Sequence, residues 1–333
     1  MIRLSVLDQS TALTGRTPDC SIRESIALAQ HCEAEGYHRY WLAEHHNTDS
    51  IAGSAPEVLG AAIAATTSRI RVGSAGVMLP HYSALKVAEQ FRVLDAIAPG
   101  RIDLGLGRAP GSDGRTAYAL NPNAGKAADN FPAQVRDLMD WLAGRKLVDK
   151  HPFRDIVAVP QGPTCPDVWM LGSSDYGAQL AAYFGLPYCF AHFITQGEGA
   201  KQALDLYRQE FQPGVLAKPH SSVTLWAMAA GSEAEAERLF SSRAVWWLGR
   251  ERGIFAPLPS PEEAATRALS EHEHAVIARY KQRAIYGTPD VVVAKLRALV
   301  SDLGVDELAI LTTVHDPEAR KRSYSLIMRE WQN

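Results

Sequence analysis

Glu44, His45 and His46 stand side by side where the apolar run Tyr40-Trp41-Leu42-Ala43 stops. A carboxylate next to two imidazoles can ligate a metal, pass a proton, or line a polar loop. Similar punctuation recurs along the chain. Asp8-Gln9-Ser10 follows one apolar run, Gly107-Arg108 another, Gly172-Ser173-Ser174 a third, His192 a fourth and Thr312-Thr313 a fifth. Gly73-Ser74-Ala75-Gly76 lies inside a further run, where such small residues weaken strand packing unless something flat lies against the backbone. Arg108 between small residues suits a phosphate, because a guanidinium offers a planar fork of donors. Gly172-Ser173-Ser174 ahead of a helix makes a second anion site from free N–H groups and the positive dipole end.

These residues converge only if their runs are neighbours. Short apolar segments at 2–8, 39–43, 70–78, 102–107, 168–171, 187–191, 223–229 and 307–312 read as strands, apolar on both faces as buried parallel strands are. Helical periods lie between them. Residues 22–36 set Ile22, Ile26, Ala29 and Cys32 on one face, and 83–98 align Ala84, Val87, Ala88, Phe91, Leu94 and Ala98. Gly36 and the turn "APGR" (98–101) stop two of the helices, and Thr288-Pro289 starts another that ends at Gly304. Eight strand–helix units predict an α/β fold, a (β/α)8 TIM barrel over residues 1–333, with insertions on its C-terminal face at about 108–127, 144–166 and 250–286. All the polar strand ends then meet on one face. The first and last of those segments are candidate lids.

Composition removes several classes. A net charge of −3 over 333 residues gives no basic stripe for nucleic acid or an anionic membrane surface. Cys20, Cys32, Cys165 and Cys189 are scattered without metal or disulfide spacing, which reads as reduced thiols. No apolar stretch reaches membrane-span length and no signal pattern opens the chain, so a cytoplasmic protein is expected. "GLGRAPG" (105–111) is not a dinucleotide fingerprint: its third glycine comes one place late, and Pro110 stands where a phosphate-binding helix would enter. Metal hydrolysis lacks partners, since no H-x-H pair or H-E-x-x-H helix is present. His272 and His274 lie two apart on a helix and face different sides. Trp246-Trp247 reads as packing beneath the last insertion.

The chain resembles the bacterial luciferase-like, flavin-dependent monooxygenases. The resemblance is carried by "YHRYWLAEHHN" (37–47), "SAPEVLGAAIAATTSRIRVGSAGVMLPH" (54–81), "AEQFRVLDAIAPGRIDLGLGRAPG" (88–111), "WMLGSSDYGAQLAAYFGLPYCFAHF" (169–193) and "YGTPDVVVAKL" (286–296), in order along the barrel. It is closest to a single-subunit branch that carries "AEHHN" and "GLGRAPG". It implies FMN on the C-terminal face. Ala75 and Gly76 match a bulge of the third strand behind the flavin ring, Arg108 an arginine near the phosphate, and Gly172, Ser173 and Ser174 a helix-end cradle. His45, with Glu44 beside it, matches the catalytic histidine, and His192 stands near the ring in place of an aromatic residue. Ser173 replaces a carboxylate of the luciferase cradle, and the last insertion departs from luciferase's mobile loop, so neither light emission nor aldehyde specificity carries over.

The activity so implied is oxygenation of a small organic substrate by reduced FMN and O2, with a separate NAD(P)H-flavin reductase as partner and a homodimer as the assembly. His45, with a reference pKa near 6.5, is the expected proton carrier, and His46 has no assigned task. A deazaflavin-dependent oxidoreductase and a non-catalytic flavin-binding protein are the competing readings.

Overall fold

A computed structural model describes residues 2–333. The first half of the barrel runs β1 (Arg3–Asp8), α1 (Pro18–Glu35), β2 (Arg39–Leu42), α2 (Pro56–Thr66), β3 (Arg71–Met78), α3 (Ala84–Ile97) and β4 (Ile102–Gly107). Two short helices, α4 (Gly114–Leu120) and α5 (Ala124–Asp129), precede α6 (Phe131–Leu142). The second half continues with β5 (Asp167–Gly172), α7 (Asp175–Phe184), β6 (Tyr188–Ala191), α8 (His192–Thr195), α9 (Ala200–Glu210) and β7 (Ser221–Ala229). An excursion of α10 (Glu233–Glu251), α11 (Pro261–Thr266), α12 (Glu271–Arg283) and β8 (Ile285–Gly287) follows. The chain then closes through α13 (Pro289–Leu303), β9 (Glu307–Leu311) and α14 (Pro317–Gln332).

β1 to β7 pair in sequence order, and β9 joins β7 back to β1, every pairing parallel. This is the (β/α)8 TIM barrel that the alternation of runs predicts, and all eight expected strands are in it. β8 was not foreseen: it is a short spur on the end of β7, pairing Ala227 with Ile285, and lies outside the ring.

The helices stop as their sequences dictate. Gly36 and Gly304 take left-handed conformations at the ends of α1 and α13, which costs a glycine little. Ser83 caps α3, whose predicted face is buried throughout. The face of α1 sits one residue away from the expected one. Ser21, Ser25, Leu28, Ala29 and Cys32 are buried, whereas Ile22 and Ile26 lie at the margin. The polar pair turns inward because Ser21 Oγ donates to the Thr11 carbonyl and Ser25 Oγ meets Ser10 Oγ in the loop after β1. Hydrogen bonding there overrides hydropathy.

The 250–286 insertion also begins earlier than expected. α10 packs on α11 and α12, while α13 takes the place in the outer ring between α9 and α14. The whole stretch from the end of β7 to β8 is therefore the excursion. α11 and α12 each start with a capping box, Ser260 with Glu263 and Ser270 with Glu273. Trp246 packs with Leu13 and Leu258 where the excursion docks on the loop after β1, as its reading as packing predicts.

Alternation along the strands divides the lumen into two storeys. The lower holds Arg39, Asp103 and Glu307; the upper holds Leu7, Trp41, Trp169, Cys189, Trp226 and Leu311. The Trp41 and Trp169 rings meet edge to face, their centroids 5.0 Å apart, and plug the middle.

Candidate active site on the C-terminal face

The loop after β2 turns Glu44 inward and leaves the carboxylate almost wholly buried. It accepts from the Tyr82 hydroxyl at 2.7 Å, the Met78 backbone N–H at 3.1 Å and His46 Nε2 at 2.9 Å. Its histidine partner is thus His46, not the neighbour His45 that the motif sets beside it. His45 occupies other surroundings. Burial, reinforced by the Arg250 guanidinium, pushes its pKa down to about 4, against a smaller upward pull from the Gly111 carbonyl. At neutral pH the His45 ring is therefore uncharged, with one nitrogen free to accept a proton. His81 faces the same loops. Its Nε2 lies 2.7 Å from the Pro110 carbonyl, so that nitrogen carries the proton; Nδ1 is buried without a partner.

The segment after β4 folds against this corner. Asn47 Nδ2 donates to Asp113 Oδ2 and Thr116 Oγ1, and the His46 N–H points to the Gly111 carbonyl at 3.4 Å. Helices α4 and α5 account for most of this candidate lid. His272 and His274 stay exposed on α12, away from the strand ends.

On β3 the register slips between Ser74 and Val77, and the Ala75–Gly76 peptide is cis, so the expected bulge is present. The small residues around it have a cause that the sequence did not disclose. A Cβ on Gly73 would stand 2.3 Å from the Asp103 carbonyl oxygen, and one on Gly76 would stand 2.7 Å from that of Gly105. Gly105 in turn leaves only 2.2 Å to the Ser74 carbonyl oxygen. Close approach of β4 therefore demands these glycines. Ala75 alone of the run packs its side chain against the upper-lumen cluster.

Arg108 lies exposed beyond β4, its guanidinium 4.2 Å above the Tyr176 ring. Tyr176 sits in the first turn of α7, so the stack brings Arg108 beside Gly172, Ser173 and Ser174. Ser174 occupies the cap position of α7 without a side-chain hydrogen bond to the turn, which leaves the first N–H groups uncommitted there. Among the described residues no carboxylate pairs with Arg108. A free guanidinium beside an uncapped helix start fits a phosphate.

His192 opens α8 on the next strand end, its pKa lowered by burial. It lines a recess with Trp226 on β7 and Arg243 on α10, away from the Arg108 corner. A larger hollow of about 420 Å³ opens at the opposite end, beside Arg3, His38 and Trp331, and touches none of these groups. Tyr82, Trp226 and Arg243 escaped the sequence reading. Tyr82 stands beyond the small-residue run that drew attention on the third strand. Arg243 and Arg250 were visible seven places apart around Trp246-Trp247, a helical same-face spacing.

The fold and the polar groups at its strand ends define the TIM-barrel class. Residues 2–307 match the family described as luciferase-like monooxygenase, and the chain belongs to that family. A luciferase-like monooxygenase of Escherichia coli (strain K12) is 41% identical, the match covering 98% of this chain and 96% of that one. The N-acetyl-S-alkylcysteine monooxygenase of Bacillus subtilis (strain 168) is 37% identical, over 98% and 97% of the two chains. Among solved structures, apo-MsnO8 superposes with a TM-score of 0.90 at 34% identity, covering 100% of this chain and 99% of that one.

Proposed function

We propose that this protein is a flavin-dependent monooxygenase that takes reduced FMN from a separate NAD(P)H-flavin reductase and uses O2 to oxygenate a small organic substrate. The observation that carries the cofactor assignment is Arg108 stacked on Tyr176 at the uncapped start of α7, a phosphate cradle without a counter-ion. Arg108, Ser173, Ser174 and the backbone at Gly172 would hold the phosphate. Ala75 and Gly76, at the β3 bulge, would back the ring. His192 lies on the far side of the same face, toward the substrate recess. When bound, the flavin supplies the electrons that activate O2.

The protein's own groups bind, orient and shield. His45, kept neutral by burial, can take a proton at its free ring nitrogen from an acidic group of the substrate. Water is far too weak an acid for a base with a pKa of about 4. Glu44 does not share that proton; its three hydrogen bonds fix the loop on which His45 rides. The segment 108–127 and the α10–α12 excursion exclude water from the face. Relatives whose names specify a substrate include the N-acetyl-S-alkylcysteine enzyme, and a small thioether is the substrate class to try first.

Titration with FMN, reduced FMN and a reduced deazaflavin, followed by fluorescence, tests the cofactor reading. Reduced FMN should bind at micromolar concentration or tighter, and Arg108→Met should weaken it. Preference for the deazaflavin would overturn the FMN assignment. Tight binding without turnover of any thioether panel, with NADH and a flavin reductase supplied, would return the protein to a binding role.

A further inference from the structure

The recess between β7 and the excursion is built from aromatic walls and unanswered positive charge. Trp226, Phe193, Trp247 and Tyr280 line it, around a small space of about 40 Å³ that opens to solvent. Trp247 stacks flat on Tyr280, with centroids 4.3 Å apart. Arg243 is only 5% exposed; its Nε donates to the Tyr280 hydroxyl at 3.0 Å, and its Nη1 has no partner. The indole N–H of Trp226, 7% exposed, is also buried without an acceptor, and the Arg243 guanidinium lies 5.4 Å from that ring.

Arg250 and Arg243 both lie against Trp246, at 4.6 and 4.7 Å from the ring centroid. Among the described residues neither has a carboxylate within 4.0 Å. Burial and the charge of Arg243 lower the Arg250 pKa to about 10, and Arg250 in turn is the leading charge acting on His45. A buried cation without a counter-ion works against folding. Arg243 is buried and Arg250 half-buried; a packed hydrophobic core has no use for such a pair, but a site that closes on an anion does.

We infer that this recess anchors the substrate by an anionic end, a carboxylate received by Arg243 Nη1 and the Trp226 indole N–H, with the organic body lying on Trp247 and Tyr280 and Arg250 extending the positive field toward His45. The inference rests on the monooxygenase reading for calling the ligand a substrate. The site itself stands on its geometry. An anionic substrate would enter with its reactive portion directed from the recess toward the proton acceptor.

The test is calorimetric titration of the full-length protein, without flavin and then with saturating FMN, using 4-phenylbutyrate and its neutral isostere 4-phenylbutyramide. The carboxylate should bind roughly tenfold or more tightly than the amide, as a charge-assisted hydrogen bond to a buried donor predicts. Arg243→Met should abolish that preference, and Arg243→Lys should restore part of it. Trp226→Phe, which keeps an aromatic ring and removes only the donor, should lower carboxylate affinity about threefold without affecting the amide. Thermal melting checks that each variant is folded, and Trp226→Phe carries the test if Arg243→Met is not. Equal binding of the two probes, or no binding of 4-phenylbutyrate, overturns the inference. So does displacement of the carboxylate by FMN, or loss of FMN binding in Arg243→Met, since either would assign the arginine to the cofactor phosphate. Failure of the protein to bind any flavin would sink the functional reading and leave the carboxylate result intact.

Discussion

The two ends of the barrel lumen use the same residue types to opposite effect. At the bottom, Arg39 is bidentate to Asp103 at 2.8 Å and also reaches Glu307 at 2.9 Å. Arg71 bonds Asp103 and Asp167, the Trp41 indole N–H donates to Asp103, and Ser5 donates to Glu307. Burial alone would raise the Glu307 pKa, yet His220, Arg39 and Ser5 hold it down to about 2. The Arg39 guanidinium also lies 4.8 Å over Trp169. The bottom is a closed network in which each carboxylate is answered. At the top, among the described residues, Arg108, Arg243 and Arg250 have no carboxylate partner, His45 is kept neutral, and Trp226 keeps an idle donor. Charges that satisfy one another hold a structure together; charges left open wait for something from outside.

Breaking the closed end should cost the most. Arg39→Met leaves Asp103 and Glu307 buried with fewer partners and should lower unfolding stability by about 3–5 kcal/mol in urea denaturation. FMN affinity per folded molecule should hardly change. Arg108→Met should do the reverse: a 10- to 100-fold loss in FMN affinity, roughly what a charged hydrogen bond contributes, with the melting temperature almost unmoved. Equal effects of the two changes on stability would erase the contrast between the ends.

Acidification probes both ends at once. His45 at the top and His38 at the bottom both have pKa values of about 4 in the folded chain, below the 6.5 of an unfolded histidine. For each, the unfolded state takes up the proton first. Stability is therefore full above pH 6.5, falls as the pH drops toward 4, and falls no further from these groups below that. A loss of order 2 kcal/mol for His45 is expected, discounted for its partial exposure. His45→Gln should flatten the slope between pH 6.5 and 4 in melts; an unchanged slope would mean that His45 titrates normally. The smallest effect is expected from Tyr82→Phe. It removes one of three donors to Glu44 and should cost about 1 kcal/mol in the same melts, with a measurable loss of turnover as the His45 loop relaxes.

The barrel itself was legible because each strand is a short apolar run and each helix carries its own punctuation, such as Thr288-Pro289 and Gly304. Arg108 and the serines after β5 could be placed together because adjacent strands of a barrel have adjacent ends. Partnerships were less visible. Sequence adjacency suggested Glu44 with His45, but a residue turns about 180° from its neighbour in extended chain, so Glu44 met His46 and Tyr82 instead. The glycines of β3 showed that something approaches the backbone closely; only the register revealed that it is β4. Hydropathy set Ile22 and Ile26 on the buried face of α1, because it does not record the acceptors that draw Ser21 and Ser25 inward. The spacing of Arg243 and Arg250 is visible in the helix, but nothing in a local window says that no acid lies opposite.

The excursion between β7 and α13 has a further consequence. Its helices α11 and α12 carry their own start signals, and its docking on the loop after β1 runs through Leu258 and Trp246 against Leu13. The β3–β4 seam, by contrast, accepts no side chain at Gly73, Gly76 or Gly105 without displacing a strand. Lineages of this architecture can therefore vary the excursion, in length and in the charge it presents, while the seam stays frozen. Diversification would exchange one cassette and inherit the rest.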